Sequence, residues 1–158
     1  MRRHIIPALL AALLCVISLV SLAQAPVVER YNTRYRLTAT ERELVERIVM
    51  AEARGECYEG QMAVAQVILN RLKAPNFPNA VAAVVRSEFA KPYKGKVFEC
   101  VKRAVHEVFD MGVQIISNEV LYFMNPAKAS KRGAAWIRAN GTHVMTIGNH
   151  EFYMEARR

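Results

Sequence analysis

Aspartate is nearly missing from this 158-residue chain, occurring only as Asp110, and cysteine occurs three times, proline six and glycine seven. So little proline and glycine, in a chain that is 53% hydrophobic, excludes a collagen-like repeat and a low-complexity disordered polymer. One cysteine, Cys15, lies in an N-terminal apolar run. The remaining two, Cys57 and Cys100, exclude a disulfide-dense miniprotein and cannot build a structural zinc site. No CxxC or HExxH occurs, and His143 with His150 lacks the third ligand a zinc hydrolase requires, so neither a metal nor another cofactor is expected. Internal repeats are also lacking. Acidic residues are outnumbered, 14 against 22 lysines and arginines, for a net charge of +8. Such a balance points to a polyanionic partner: nucleic acid, an anionic membrane surface or an acidic wall polymer.

The amino terminus narrows that choice. Arg2 and Arg3 precede an uncharged run of 18 residues, Ile5 to Leu22, and small residues stand at Ser21 and Ala23. This pattern predicts a signal peptide over residues 1–23, cleaved after Ala23. The rival reading is an uncleaved anchor, because 18 apolar residues just reach across a bilayer. Either way the domain works outside the cytoplasm, in the periplasm or cell wall or beyond, which sets nucleic acid aside as a partner. Residues 24–40 read as a linker and 41–155 as one domain, large enough to bury roughly two thirds of its unfolded surface. In an oxidising compartment the even pair Cys57 and Cys100 is expected to be bridged.

Along the domain the texture is helical first. Thr40 and Glu43 fit a capping box ahead of Leu44, Ile48 and Ala51, predicting a helix from about 41 to 54 that stops at Gly55. A second helix over 59–73 is apolar over most of its circumference and therefore belongs at the centre of the domain. After the turn Ala74–Pro78, a short helix capped by Asn79 covers 80–85, and another covers 97–109 beyond the basic loop Lys91–Lys96. Beyond Gly112, Val120–Met124 and Glu151–Met154 are short, aromatic and strand-like. The expected class is α+β, mainly helical, with a small carboxy-terminal β element.

Glu52 is the residue with the sharpest chemical reading. It lies four residues after Ile48 and eight after Leu44, on the apolar stripe of the first helix. A carboxyl group there is expensive unless paired or protonated, and desolvation raises its pKa. A carboxylic acid kept protonated near neutral pH is what general-acid cleavage of a glycosidic bond requires. The alternative is an ion pair with Arg54 or Arg71 that ties two helices together. Glu56, beyond Gly55, could cap the second helix or raise the Glu52 pKa by like-charge repulsion.

Four segments in order resemble the SleB-type cell wall hydrolases, the family that includes the spore cortex-lytic enzymes. They are Ala51-Glu52-Ala53-Arg54-Gly55-Glu56, then Tyr58-Glu59-Gly60-Gln61 with Val67-Ile68-Leu69-Asn70-Arg71, then Leu121-Tyr122-Phe123-Met124-Asn125-Pro126-Ala127, and Ile147-Gly148-Asn149-His150-Glu151-Phe152-Tyr153. The resemblance implies a lysozyme-like, lytic-transglycosylase-like fold that cleaves the glycan strands of peptidoglycan. It implies Glu52 as the catalytic residue and places Glu56, Asn70, Tyr122, Asn125, His150 and Tyr153 among the substrate-binding residues. Period-2 alternation sends Tyr122 and Phe123 to opposite faces, as it does Phe152 and Tyr153, so the tyrosines are read as groove residues and the phenylalanines as core. Hydrolysis would ordinarily need a second carboxylate, about 5–5.5 Å away for retention or roughly 6.5–9.5 Å for inversion, and candidates are few.

Two features depart from the family pattern. Cys57 stands where relatives have proline, and a glutamine- and phenylalanine-containing stretch appears only as Arg86-Ser87-Glu88-Phe89-Ala90. The competing reading is therefore a non-catalytic, basic wall-binding module on a degenerate lysozyme-like scaffold.

Overall fold

The structure, a computed structural model, describes residues 35–156; the expected signal peptide or anchor lies outside them. Helix α1 (Ala39–Ala53) starts two residues earlier than its sequence signal suggested. Thr38–Glu41 has the same capping-box spacing as Thr40–Glu43, and the structure uses the former. Thr38 Oγ1 accepts from the Glu41 amide at 3.3 Å, and Glu41 Oε2 accepts from the Thr38 amide at 2.9 Å. Residues 35–38, expected in the linker, already lie against the domain. Tyr35 packs edge-on to Phe109 at 6.3 Å, and Leu37 rests on the core.

Helix α2 (Tyr58–Lys73) is the central element, buried from Gly60 to Leu72 as its apolar circumference predicted. Around it stand α1, α3 (Val81–Glu88) and α4 (Glu99–Phe109). The basic loop before α4 is fastened to α1: Arg47 Nη1 donates to the carbonyls of Tyr93 (2.9 Å) and Gly95 (3.2 Å).

The carboxy-terminal part is a three-stranded antiparallel sheet, β1 (Val120–Met124), β2 (Gly141–Ile147) and β3 (His150–Glu155), in the order β1-β3-β2. Helix α5 (Lys131–Asn140) intervenes between β1 and β2, starting where Ser130 Oγ accepts from the Gly133 amide at 3.1 Å. Neither α5 nor β2 was expected from the sequence. Both lie at the surface: α5 buries no residue completely, and β2 is an edge strand with no fully buried position. Elements that hide so little carry a weak hydrophobic period.

Three buried polar side chains on α2 set the position of the sheet. Gln66 Oε1 accepts from the amides of Ile115 (2.9 Å) and Ile116 (3.1 Å), while its Nε2 donates to the Ile116 carbonyl at 2.6 Å. One turn on, Asn70 Nδ2 donates to the carbonyls of Ser117 (3.0 Å) and Val120 (2.9 Å), and Arg71 Nε donates to Leu121 O at 2.7 Å. The backbone leading into β1 thus finds its partners on a helix flank rather than on a strand, as a buried backbone must find them somewhere.

The two cysteines are both free, so the expected Cys57–Cys100 bridge is absent. Cys57 is the exposed N-cap of α2, with its Sγ near Gly60 and the Gly148 turn. The residue of this corner that reaches α4 is Tyr58, whose hydroxyl accepts from Arg103 Nε at 3.1 Å beneath the guanidinium. Cys100 is partly packed on the core from the first turn of α4.

The polar ladder on α2 yields a stability prediction. Gln66→Met keeps the length of the side chain and strands two amides and a carbonyl away from water. At about 1–3 kcal/mol for each buried group left unpaired, a loss of about 3 kcal/mol or more is expected in urea unfolding followed by circular dichroism. A loss below about 1 kcal/mol would mean that the segment 115–121 finds other partners.

Candidate functional site

Between the helices and the sheet lies a cavity of about 360 Å³ whose walls include Glu52, Glu56, Arg71, Glu88, Phe123, Asn125, Lys128 and His150. It gathers residues from five elements and two loops. A second cavity, of about 500 Å³, adjoins it through the shared residues Arg71, Glu88 and Phe123 and runs on to Tyr122, Arg132 and Trp136. The two lie side by side across these shared walls and together make up the groove.

Glu52 sits in the last turn of α1. The core-facing positions of that helix are Val45, Ile48, Val49, Met50 and Ala53, and Glu52 lies at their margin, half-buried, rather than on the stripe itself. Its Oε1 accepts from the Ala90 amide at 2.8 Å, so the altered segment after α3 contributes a backbone donor to the carboxylate. Neither arginine considered as its ion-pair partner takes that role. Arg54 lies over the Tyr93 ring at 5.4 Å, and Arg71 faces Glu88, Nη1 to Oε2, at 3.9 Å.

Glu56 is held differently. Its Oε2 accepts from the Asn149 amide at 2.8 Å, and both oxygens lie within 3.3 Å of Asn149 Nδ2. Burial pushes this carboxyl upward, but the hydrogen bonds from Asn149 outweigh it, helped by the Lys128 charge and, in acid where it is protonated, by His150, and the net shift is below its ordinary value of 4.5. Glu56 thereby pins the two-residue turn Gly148-Asn149 that joins β2 to β3. Gly148 has φ +57°, and a Cβ there would collide with Glu56 Oε2, so the close approach and the backbone angle both demand glycine.

The pinned turn delivers His150, the first residue of β3, into the cavity. Only 4% of it is exposed, its ring packs at 5.2 Å on Phe123, and its Nδ1 has no hydrogen-bond partner. Burial pushes the imidazole below its ordinary pKa of 6.5; Glu56 and Glu52 oppose that push, and Lys128 adds to it. At neutral pH the ring is therefore uncharged, with one nitrogen to donate and one to accept. Asn125 lines the cavity as well, with its Oδ1 accepting from the Ala127 amide at 3.0 Å in a turn that shapes the loop after β1.

Of the residues singled out in the sequence, Glu52, Glu56, Asn125 and His150 meet in the first cavity, and Tyr122 lies in the second. Asn70 and Tyr153 lie elsewhere. Asn70 gives its Nδ2 to the carbonyls of Ser117 and Val120, and Tyr153 is buried with its hydroxyl donating to Glu151 Oε2 at 2.6 Å. The face assignment of the aromatic residues is partly reversed. Opposite partners on antiparallel strands share a face, and the register pairs Tyr122 with Tyr153 and Phe123 with Phe152. Phe152 is core, as expected, but Phe123 beside it lines both cavities. Sequence reasoning also passed over Arg71, Glu88, Lys128 and Trp136 as site residues. Arg71 alone left a signal, a cation directly after the apolar run Val67-Ile68-Leu69 in the last turn of the helix. Among the described residues no group of three or more His, Cys, Asp or Glu is placed to hold a metal ion.

The Cell Wall Hydrolase family matches residues 55–153. The spore cortex-lytic enzyme of Bacillus subtilis (strain 168) is 38% identical over 115 residues, covering 69% of this chain and 36% of that protein. The spore cortex-lytic enzyme of Halalkalibacterium halodurans is 37% identical over 116 residues, covering 70% and 33% respectively. The chain thus spans about a third of the length of these curated relatives. Among solved structures, the catalytic domain of the Bacillus cereus SleB protein superposes with a TM-score of 0.65 at 32% identity, covering 78% of this chain and 96% of that one. The catalytic domain of the germination-specific lytic transglycosylase SleB from Bacillus anthracis gives 0.65 at 30% identity, with 77% and 99% covered. By its motifs, its α+β fold and these matches, the chain belongs to the cell wall hydrolase family of the SleB catalytic domains.

Proposed function

We propose that the protein is an exported enzyme that cleaves the glycan strands of peptidoglycan, with Glu52 as the catalytic residue and a lytic transglycosylase outcome. The observation that carries this reading is the convergence of the two halves of the family pattern. Glu52 from the first motif and Asn125 and His150 from the last two line one groove, although Glu52 is more than seventy positions from either of the others in the chain.

In the proposed reaction the protonated Glu52 carboxyl gives its proton to the glycosidic oxygen as the bond to the anomeric carbon breaks. The resulting carboxylate then takes the proton of the muramyl 6-hydroxyl, whose oxygen closes onto that carbon as a 1,6-anhydro ring. No water is consumed, and Glu52 ends protonated as it began. The neighbouring carboxylates support a one-carboxylate scheme. Glu56 is occupied by Asn149 and is not free to activate a water, and Glu88 faces the Arg71 cation at 3.9 Å. The uncharged His150 ring and the Asn125 amide suit the hydroxyls and acetamido groups of the sugar, while the Ala90 amide orients one oxygen of Glu52.

Digestion of purified peptidoglycan followed by mass analysis of the fragments tests the reading. Anhydro ends support it; reducing ends would mean hydrolysis, and no cleavage would favour a binding module. Glu52→Gln is expected to fold with an unchanged circular dichroism spectrum and to lose activity by ~10²–10⁴-fold or more, since the amide has no proton to give. Wild-type turnover in that variant would remove Glu52 from the chemistry.

Glu56 gives a separate, pH-dependent expectation. Its carboxyl ionises more readily in the folded than in the unfolded chain, so its contribution to stability is complete above about pH 4.5 and is lost as the pH falls through the lower folded value. Glu56→Gln should retain measurable cleavage. At pH 7 it should be less stable by about 1 kcal/mol, a figure discounted for partial exposure of the carboxylate. The difference from wild type should shrink on acidification below pH 4.5. A difference that stays constant down to pH 3 would show that the Glu56 charge does not hold the turn.

A further inference from the structure

We infer that the second cavity is a subsite for a carboxylate carried by the glycan, either on the lactyl group of a muramyl residue or on a peptide attached to it; this rests on the peptidoglycan-cleaving reading above. Arg71 is the central cation of this cavity. It is 5% exposed and lines both cavities, and its Nη1, the nitrogen that faces Glu88, has no hydrogen-bond partner. Its Nε is used by Leu121 O, and the guanidinium is held among the rings of Phe77, Phe89 and Tyr122 at 5.2, 4.8 and 5.8 Å, so the group is fixed in place. A buried guanidinium N–H without an acceptor is costly, and an arriving oxygen relieves that cost.

The opposite wall is unfavourable in the same sense. Helix α5 begins with Lys131 and Arg132 and has no acidic residue in its first turn. Cations at the positive end of a helix dipole repel it, and an anion bound beside them reverses the sign of the interaction. Arg132 and Gly133, from that first turn, line the cavity. Among the described residues Arg132 has no ion pair, and the one negative lining group is Glu88, set against the two guanidiniums of Arg71 and Arg132. Tyr122 and Trp136, edge to face at 5.6 Å, supply an aromatic wall for the uncharged part of the ligand.

Trp136 is the only tryptophan in the chain and is 52% exposed, so its fluorescence reports occupancy of this cavity without reference to catalysis. Titration with N-acetylmuramic acid and with N-acetylmuramyl tripeptide, each free and with every carboxyl capped as the methyl amide, tests the inference. At least one free acid is expected to give a saturable change, with capping weakening Kd by about tenfold, or ~1.4 kcal/mol. High salt should weaken the free acid selectively. Preference for the muramyl acid alone identifies the lactyl carboxylate, and preference confined to the tripeptide identifies the peptide. Arg132→Gln, at an exposed position that leaves the fold undisturbed, should bring the ratio of capped to free Kd towards one; Arg71→Lys should reduce it as well. Equal binding of capped and free ligands, no binding of either, or a full preference retained in Arg132→Gln would overturn the subsite. Cleavage of glycan strands with free and capped carboxyls completes the test. If wild type cleaves neither yet still prefers the free acid in the titration, the enzymatic reading fails and the subsite stands. If it cleaves both equally and shows no preference in binding, the subsite fails alone.

Discussion

The segment from Ile115 to Leu121 has no strand partner along most of its length, and the structure satisfies it from the side of a helix. Gln66, Asn70 and Arg71 lie on one flank of α2, spaced by four and five residues, and each gives its side chain to backbone groups of that segment. Their burial in the central helix of the domain would be prohibitive if these bonds were missing. Made, they fix where β1 begins and which of its side chains turn toward the helices. The pairing of β1 with β3 then places His150 and Phe152 beside Phe123, and the site is assembled from that register. The same flank leaves Arg71 with one nitrogen unspent, so a scaffold contact and a groove cation are two ends of one side chain.

A second constraint acts from the opposite direction. The turn after β2 could take many orientations, since two residues and a hairpin do not fix a tilt. Glu56 fixes it by receiving both nitrogens of Asn149, across a gap that only glycine at 148 leaves open. The α1–α2 corner is therefore tied to the hairpin, and Glu52 and His150, which sit on either side of that tie, are brought into one cavity.

What the sequence made legible follows from burial. The amphipathic and apolar helices α1, α2 and α4 and the aromatic strands β1 and β3 were readable because their hydrophobic pattern records what they hide. Helix α5 and strand β2 hide little and were missed. The motif residues at the groove were readable through family resemblance, but their roles were not. Asn70 belongs to the same segment as Arg71, one position away, yet one is consumed by backbone carbonyls and the other reaches the groove. A helical step of about 100° separates those fates, and no single-residue rule encodes it. Phe123 was lost for a related reason. Alternation told that it and Tyr122 face opposite ways, but the sheet is narrow enough that both faces of β1 open onto the groove. The cysteines were misread because compartment and number say nothing about direction; Cys57 turns toward the hairpin and not toward α4.

Three carboxylates border the groove, and their partners separate them. Glu56 accepts from an amide and a side-chain amide of the same residue, which commits it to the charged form and to holding the turn. Glu88 faces a guanidinium that is itself clamped among aromatic rings, which commits it to balancing a fixed positive charge. Glu52 has one backbone donor on one oxygen and no cation paired with it. A single neutral donor on one oxygen, with no paired cation, suits the proton-transfer role proposed for Glu52. Among acids of the same chemical type in one cavity, what each already holds separates the one proposed to react from the structural ones. On that criterion the sorting favours Glu52, the same residue that the motif singled out.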